Sequence, residues 1–163
     1  MNTAVFPSFL RPMHADETSK VDTLLRIAFD GPSEAELVTK LREAGEMAGE
    51  MVLPLGDDLI GYYALSRMVL PKEWLCLAPV AIRPDWQRKN HGKRMIGQLV
   101  AWAEGSGQSV VVLGQPDFYE HTGFSRERAA HLVTPYPNAY TMLAGGEGIP
   151  EAKLVYPKAF EEV

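Results

Sequence analysis

Apolar residues recur along this chain with two different periods, and the changes of period predict the order of elements. Across residues 16–29, Val21, Leu24, Leu25, Ala28 and Phe29 return every three or four positions, the spacing of one helix face. Gly31-Pro32 ends that helix. Ser33 and Glu36 carry capping-box spacing, and Leu37, Val38 and Leu41 form the apolar face of a second helix, which Gly45 and Gly49 close. Residues 51–55 and 59–69 read as strands joined by the turn Gly56-Asp57-Asp58, a hairpin. Residues 74–83 form a longer apolar strand with Pro79 inside it. Proline has no N–H for a ladder, so a bulge or an edge is expected there. Residues 92–104 read as a third helix with Met95, Ile96, Leu99, Val100 and Ala103 on one face and Gly105 as its stop. After it come a short strand (109–113), one or two helical turns (117–122), β structure at 128–133, 139–144 and near Leu154, and a surface tail at 157–163. This order predicts one mixed α/β (α+β) domain over residues 1–163, with helices on the faces of a single sheet.

Composition narrows the picture. A chain of 163 residues is one domain in size, and 46% hydrophobic content is enough for a core. The longest uninterrupted apolar run, residues 74–82, has nine residues, whereas a membrane helix needs about 18. No basic segment followed by an apolar stretch opens the chain. The single cysteine, Cys76, excludes an internal disulfide. A cytoplasmic location without a membrane partner is the expectation. The net charge of −5 argues against nucleic acid as a partner. The basic residues are clustered, however. Arg83, Arg88, Lys89, Lys93 and Arg94 crowd into 12 positions beside one acid, Asp85.

That cluster coincides with a strand end, a turn and a helix start. The first N–H groups of a helix have no internal partner, and the helix dipole adds about half a positive charge there. Such an end binds anions. Arg88, Lys89 and Lys93 add full charges, Gly92 permits close approach of a ligand, and Asn90 tolerates a left-handed backbone. The turn is therefore a candidate pyrophosphate cradle; the alternative is a solvated basic turn. It is not a Walker loop: Lys93 is followed by Arg94, and Gln87 stands at the first glycine position. Nor is it Gly-x-Gly-x-x-Gly.

These residues carry a resemblance. Gln87-Arg88-Lys89-Asn90-His91-Gly92 resembles the Gln/Arg-x-x-Gly-x-Gly/Ala cofactor motif of the GNAT superfamily of acetyl-CoA-dependent N-acyltransferases. Tyr119-Glu120-His121-Thr122-Gly123-Phe124 resembles that superfamily's Tyr-x-x-x-Gly-Phe motif. The stretch from Leu113-Gly114-Gln115-Pro116 to Phe118-Tyr119 is similar to a bacterial branch of N-acetyltransferases. So are the opening Arg11-Pro-Met-His-Ala-Asp16, the run from Ala28 to Leu37 and the closing Tyr156-Pro-Lys-Ala-Phe160. Two positions depart from the pattern. Asn90 replaces the first glycine of the cofactor loop, and His91 the often apolar residue between the glycines.

The resemblance implies a GNAT-like fold: a mostly antiparallel sheet flanked by helices, with the fourth and fifth strands splayed. It implies acetyl-CoA as co-substrate, a primary amine on a small molecule or peptide as acceptor, and leaves a homodimer open. Backbone groups of Val80 and Ile82 would pair with the pantetheine amides, and N–H groups near Val80 and Ala81 would polarise the acetyl carbonyl. Gln87, Arg88, Lys89, Asn90, His91, Gly92 and Lys93 would hold the phosphates. Tyr119 is the candidate general acid, since a phenol with pKa about 10 is protonated at neutral pH; the alternative is a packing role. Glu34 is the candidate acceptor-side carboxylate, against a solvated helix face. Glu36 is read as a capping residue and Ser66 as a site-lining or plain strand serine, and water is a further candidate base. His14, His91, His121 and His131 show no zinc-ligand spacing, so no metal is expected. Cys76 reads as a core residue, and 145–148 as a loop bordering the acceptor pocket. Two rivals stand beside the enzyme: an acyl-CoA-binding regulatory or scaffold module, and transfer from a different acyl donor.

Overall fold

The helical periodicities become helices whose ends are set by local hydrogen bonds. The structure, a computed structural model, describes residues 9–162; residues 1–8 and Val163, included in the domain by the sequence reading, lie outside the described residues. A two-residue strand β1 (Arg11–Pro12), absent from the sequence reading, comes first, followed by α1 (Thr18–Phe29). Residues 15–17 form a separate 3-10 turn instead of the start of α1. Glu17 holds that turn: its carboxylate accepts the His14 N–H at 2.7 Å and both arms of the Arg11 guanidinium at 2.8 Å. The helix stops at Asp30, whose left-handed backbone (φ 50°) returns its N–H to Arg26. Helix α2 (Ser33–Glu43) lacks the expected capping box. Ser33 is already helical, and the Glu36 N–H is satisfied by the Pro32 carbonyl at 2.9 Å.

The central sheet has the order β1-β2-β3-β4-β5-β7. It comprises β2 (Met47–Leu55), β3 (Asp58–Arg67), β4 (Leu75–Ile82), β5 (Val110–Leu113) and β7 (Thr141–Ala144) beside β1. Every neighbouring pair is antiparallel except β4–β5, which is parallel. Strand β2 starts four residues earlier than its apolar run, because Glu50 finds partners there. The Tyr62 hydroxyl donates to the Glu50 carboxylate at 2.6 Å, and Arg42 of α2 reaches the same carboxylate at 2.7 Å. Helices α1 and α2 cover one face of the sheet, over Val52, Tyr62, Ala64 and Ala81. Helix α3 (His91–Ser106) covers the other, over Leu53, Tyr63, Leu65, Leu77 and Val110. It runs through Gly105 and ends at Gly107, whose φ of 73° caps it.

The remaining β structure is smaller than the sequence suggests. Residues 128–133 reduce to β6 (Leu132–Val133) after a 3-10 turn at Glu127–Ala129, and the piece near Leu154 is β8 (Ala152–Lys153), parallel to β6. The tail is not merely superficial: Ala159 is buried against Leu37 and Leu41 of α2. Among the described residues no helix is long and apolar enough to cross a membrane.

Because Tyr62 is fully buried, removing its acceptor leaves the phenol without a partner and, among the described residues, the Arg42 guanidinium with only the Met13 sulfur at 3.6 Å. Glu50→Ala should cost roughly 2–3 kcal/mol, the scale of an unsatisfied buried hydrogen-bonding group. Urea unfolding would read this as a lower midpoint. In a Tyr62→Phe background the cost should shrink, and an equal cost there would rule the hydroxyl out as its source.

Candidate active site

The site begins with an irregularity in β4. Its pairing with β3 runs in register from Arg67↔Leu75 to Leu65↔Leu77, then shifts, and resumes at Tyr63↔Val80, Tyr62↔Ala81 and Gly61↔Ile82. One extra residue is thus inserted around Pro79, a place where a residue without an N–H costs no ladder bond. In an antiparallel ladder, successive residues aim their backbone groups at alternate sides. Before the insertion, Leu75 and Leu77 face β5; the Leu75 N–H donates to Ser109 O at 3.0 Å. After it, Arg83 donates to Ile60 O of β3 at 2.8 Å, so Ala81 also faces β3 while Val80 and Ile82 face away from it. The extra residue therefore moves the outward role from odd to even positions.

Among the described residues no strand pairs with that outward side. Strand β5 pairs with β4 only at Leu75, Cys76 and Leu77. Beyond Leu77 the two strands part, as the resemblance implies. Val80 and Ile82 line the resulting cleft of about 550 Å³. Helix α4 (Pro116–Glu120) supplies the opposite wall with Asp117, Phe118 and Tyr119, and His121 follows it.

The floor of the cleft is the turn into α3. The Gln87 side chain donates to Ile82 O at 2.9 Å, tying the turn to the strand end. Arg88 (φ 63°) and Asn90 (φ 66°) both adopt the left-handed conformation. Asparagine is among the few non-glycine residues that do so at low cost, which explains how Asn90 serves where glycine is usual. The first internal helix bond at this end is Arg94 N–H to Asn90 O at 3.0 Å. The N–H groups of His91, Gly92 and Lys93 thus stand free at the positive end of a 16-residue helix. A Cβ on Gly92 would lie 3.4 Å from Phe118 and 3.5 Å from Ile82, ordinary contact distances, so the gap between the two walls is just wide enough to admit one.

The charged groups divide into bound and free. Arg83 is held by Asp85 through two bonds of 2.8 Å. Arg88 and Lys93 line the cleft and, among the described residues, form no ion pair. Lys89 lies outside the lining, its ammonium 4.9 Å from the centroid of the Trp86 ring. His91 is 8% exposed, and its Nδ1 takes a bond of 2.6 Å from the Arg94 guanidinium. That bond puts the proton of neutral His91 on Nε2. Burial, with Arg94 and Lys89 adding repulsion, holds its pKa below the ordinary histidine value.

Tyr119 packs edge-to-face with Phe118 and Phe124, at centroid distances of 4.9 and 5.9 Å. Burial pushes its phenol up to about 12, so it stays protonated across the physiological range. The structure thus gathers Val80, Ile82, Gln87, Arg88, Asn90, His91, Gly92, Lys93 and Tyr119 around one cleft. It does not bring in Ala81, whose side chain is buried under α1 and α2. Glu34 is half-buried in the first turn of α2 and does not line the cleft. Ser66 is fully buried opposite Cys76. Burial raises the Cys76 thiol to about 12, in keeping with a core residue. Trp86 and His121 line the cleft although sequence reading gave them no role. Trp86 is aimed by the 3-10 turn Pro84–Trp86, whose Pro-Asp start was the available signal. Among the described residues no three His, Cys, Asp or Glu side chains group into a metal site.

Residues 18–124 match the Acetyltransferase (GNAT) family, more than half of the chain. The chain belongs to the GNAT acetyltransferase family. It is 34% identical over 118 residues to the uncharacterized N-acetyltransferase YhbS of Escherichia coli (strain K12), covering 68% of each chain. Among solved structures, it is similar to Escherichia coli YhbS in complex with CoA, with a TM-score of 0.83 and 22% identity over 99% of this chain and 95% of that one. A GNAT family acetyltransferase from Brucella melitensis in complex with acetyl-CoA superposes with a TM-score of 0.77 and 23% identity, covering 93% of this chain and 97% of that one. The GNAT fold is thereby established, and with it the reading of β4 and β5 as the splayed pair.

The left-handed turn gives a direct test of this GNAT loop. Asn90→Gly should leave stability unchanged or slightly higher, and Asn90→Ala should lower it by about 1 kcal/mol. Thermal unfolding of the two variants decides. An Ala variant as stable as Asn would show that backbone handedness does not select the residue.

Proposed function

We propose that this chain transfers an acetyl group from acetyl-CoA directly to a primary amine of a small-molecule or peptide acceptor. One observation carries the reading. The backbone groups of Val80 and Ile82 that no strand pairs run straight into the free N–H groups of His91, Gly92 and Lys93. A ligand with amides at one end and a pyrophosphate at the other fits both. The complexes of the similar proteins with CoA and acetyl-CoA support the same donor.

The chemistry asks for three things. The acceptor nitrogen must be neutral, so that its lone pair can attack the thioester carbonyl carbon. The carbonyl oxygen gains negative charge and needs an N–H donor, a role for the outward N–H of Val80. As the C–S bond breaks, the sulfur keeps the electron pair and must be stabilised. Tyr119 supports that step as a donor whose phenol is protonated in the resting protein at working pH. With its phenol near 12 and an ordinary thiol near 8.5, full transfer to a solvated thiolate would run uphill. The hydroxyl therefore acts first as a hydrogen bond to the developing charge. The proton follows because the sulfur, in the same desolvated cleft, is a stronger base than in water. The amine proton leaves to water, and the phenolate is reprotonated from solvent.

Two expectations follow. Calorimetric titration with acetyl-CoA should show saturable binding, weakened about fivefold by each of Arg88→Ala and Lys93→Ala, the scale of an exposed charge contact. Saturable binding without amine-dependent release of CoA would instead make this a binding module. Turnover by Tyr119→Phe should fall by roughly 10²-fold, the low end for a positioned donor. The wild-type pH–rate profile should rise as the amine deprotonates and show no falling limb up to pH about 10, because a group titrating near 12 is still protonated there. A falling limb near pH 8 would assign the acid to another group.

A further inference from the structure

We propose that Gly114 is a positioning residue for Tyr119, the seat that fixes where the phenol points. The inference rests on the donor role given to Tyr119 above. Gly114 follows the last residue of β5, and its N–H donates to the Tyr140 carbonyl at 3.0 Å. A Cβ added at Gly114 would stand 2.3 Å from Cε2 of the Tyr119 ring, 2.9 Å from Cδ2 and 3.4 Å from Cζ. The first two distances are shorter than any real contact, so the Cε2 edge of the ring is seated directly against the glycine.

Handedness does not explain this glycine. Gly123 and Gly145 also stand against neighbours, but their φ values of 111° and 74° call for glycine on backbone grounds alone. Gly114 has no positive φ, and its backbone would accept any L residue. What excludes a side chain is the ring itself. Phe118 and Phe124 pack edge-to-face with the same ring. The Tyr119 carbonyl is also pinned, by the N–H groups of Thr122 at 3.0 Å and Phe124 at 3.2 Å. With the main chain fixed and Phe118 and Phe124 on other sides, the ring's Cε2 edge fills the space left beside Gly114. A methyl group there must displace the ring by about an ångström to restore ordinary contact, and a displacement of that size costs on the order of 10²-fold in rate.

The test has a catalytic arm and an arm that needs no activity. Gly114→Ala should lower kcat by roughly 10²-fold while the Kd for acetyl-CoA, set mainly at the phosphate turn, moves less than about threefold. In a Tyr119→Phe background the same change should lower kcat by no more than about twofold, since the hydroxyl being aimed is already gone. Wild-type kcat in Gly114→Ala, or an undiminished loss in the Tyr119→Phe background, overturns the proposal. For the second arm, urea unfolding is followed for Gly114→Ala alone and with Tyr119→Ala. The loss of stability caused by Gly114→Ala should disappear when the ring is absent. A loss that persists without the ring overturns the proposal independently of any acceptor. If no amine is acetylated yet the loss disappears, the seat stands and the acetyl-transfer reading fails.

Discussion

The extra residue at Pro79 is the constraint on which the site depends. Without it, the outward backbone groups of β4 beyond Leu77 would belong to Pro79 and Ala81. Pro79 has no N–H at all, and the edge facing the gap would be missing a donor at its first position. With it, Val80 and Ile82 turn outward and Ala81 remains in the ladder with Tyr62. The four-residue length of β5 then completes the cleft by leaving those groups without a strand. An open edge inside a sheet would ordinarily invite pairing with another chain. Here it lies in a cleft walled by α4 and floored by the turn into α3, which admits a narrow extended ligand more readily than a strand.

Charge is sorted to the same end. The chain is acidic overall, and several of its cations are consumed in structural pairs: Arg11 with Glu17, Arg42 with Glu50, Arg83 with Asp85. Among the described residues, Arg88 and Lys93 have no such partner and line the cleft. The positive field at the helix start is therefore left for a ligand. His91, held toward its neutral form at the same place, does not add to the repulsion among Arg88, Lys89 and Arg94.

How much was legible in the sequence follows from what each element depends on. Helices α1, α2 and α3 announced themselves because their buried faces repeat locally. The anion-binding turn was legible because the free N–H groups of a helix start are a property of the backbone. Strand β1 was not, since two residues carry no period, and β2 lost its first four residues because Glu50 breaks the apolar pattern while being satisfied by Tyr62 and Arg42. The C-terminal third was the least legible. Its strands are two to four residues long, and their partners lie far away in sequence, as with Leu132 and Ala152. Cleft residues were found where a motif named them. Trp86 and His121 were not, because only the path of the chain brings them there. Glu34 illustrates the reverse: position in the sequence suggested proximity to the chemistry, and α2 holds it outside the cleft lining.

The contrast between the two sides of the cleft explains why the departures from the family pattern are compatible with the fold. On the donor side, recognition groups belong to the main chain, so a side chain matters only through the backbone angle it allows or the space it leaves. Asn90 supplies the angle. On the α4 side, the group that the proposed mechanism uses is a side chain, and its aim must be enforced by packing. Phe118, Phe124 and Gly114 stand close enough around Tyr119 to do so. A mobile cation attracts a phosphate from many rotamers. A hydroxyl stabilises a departing sulfur from very few.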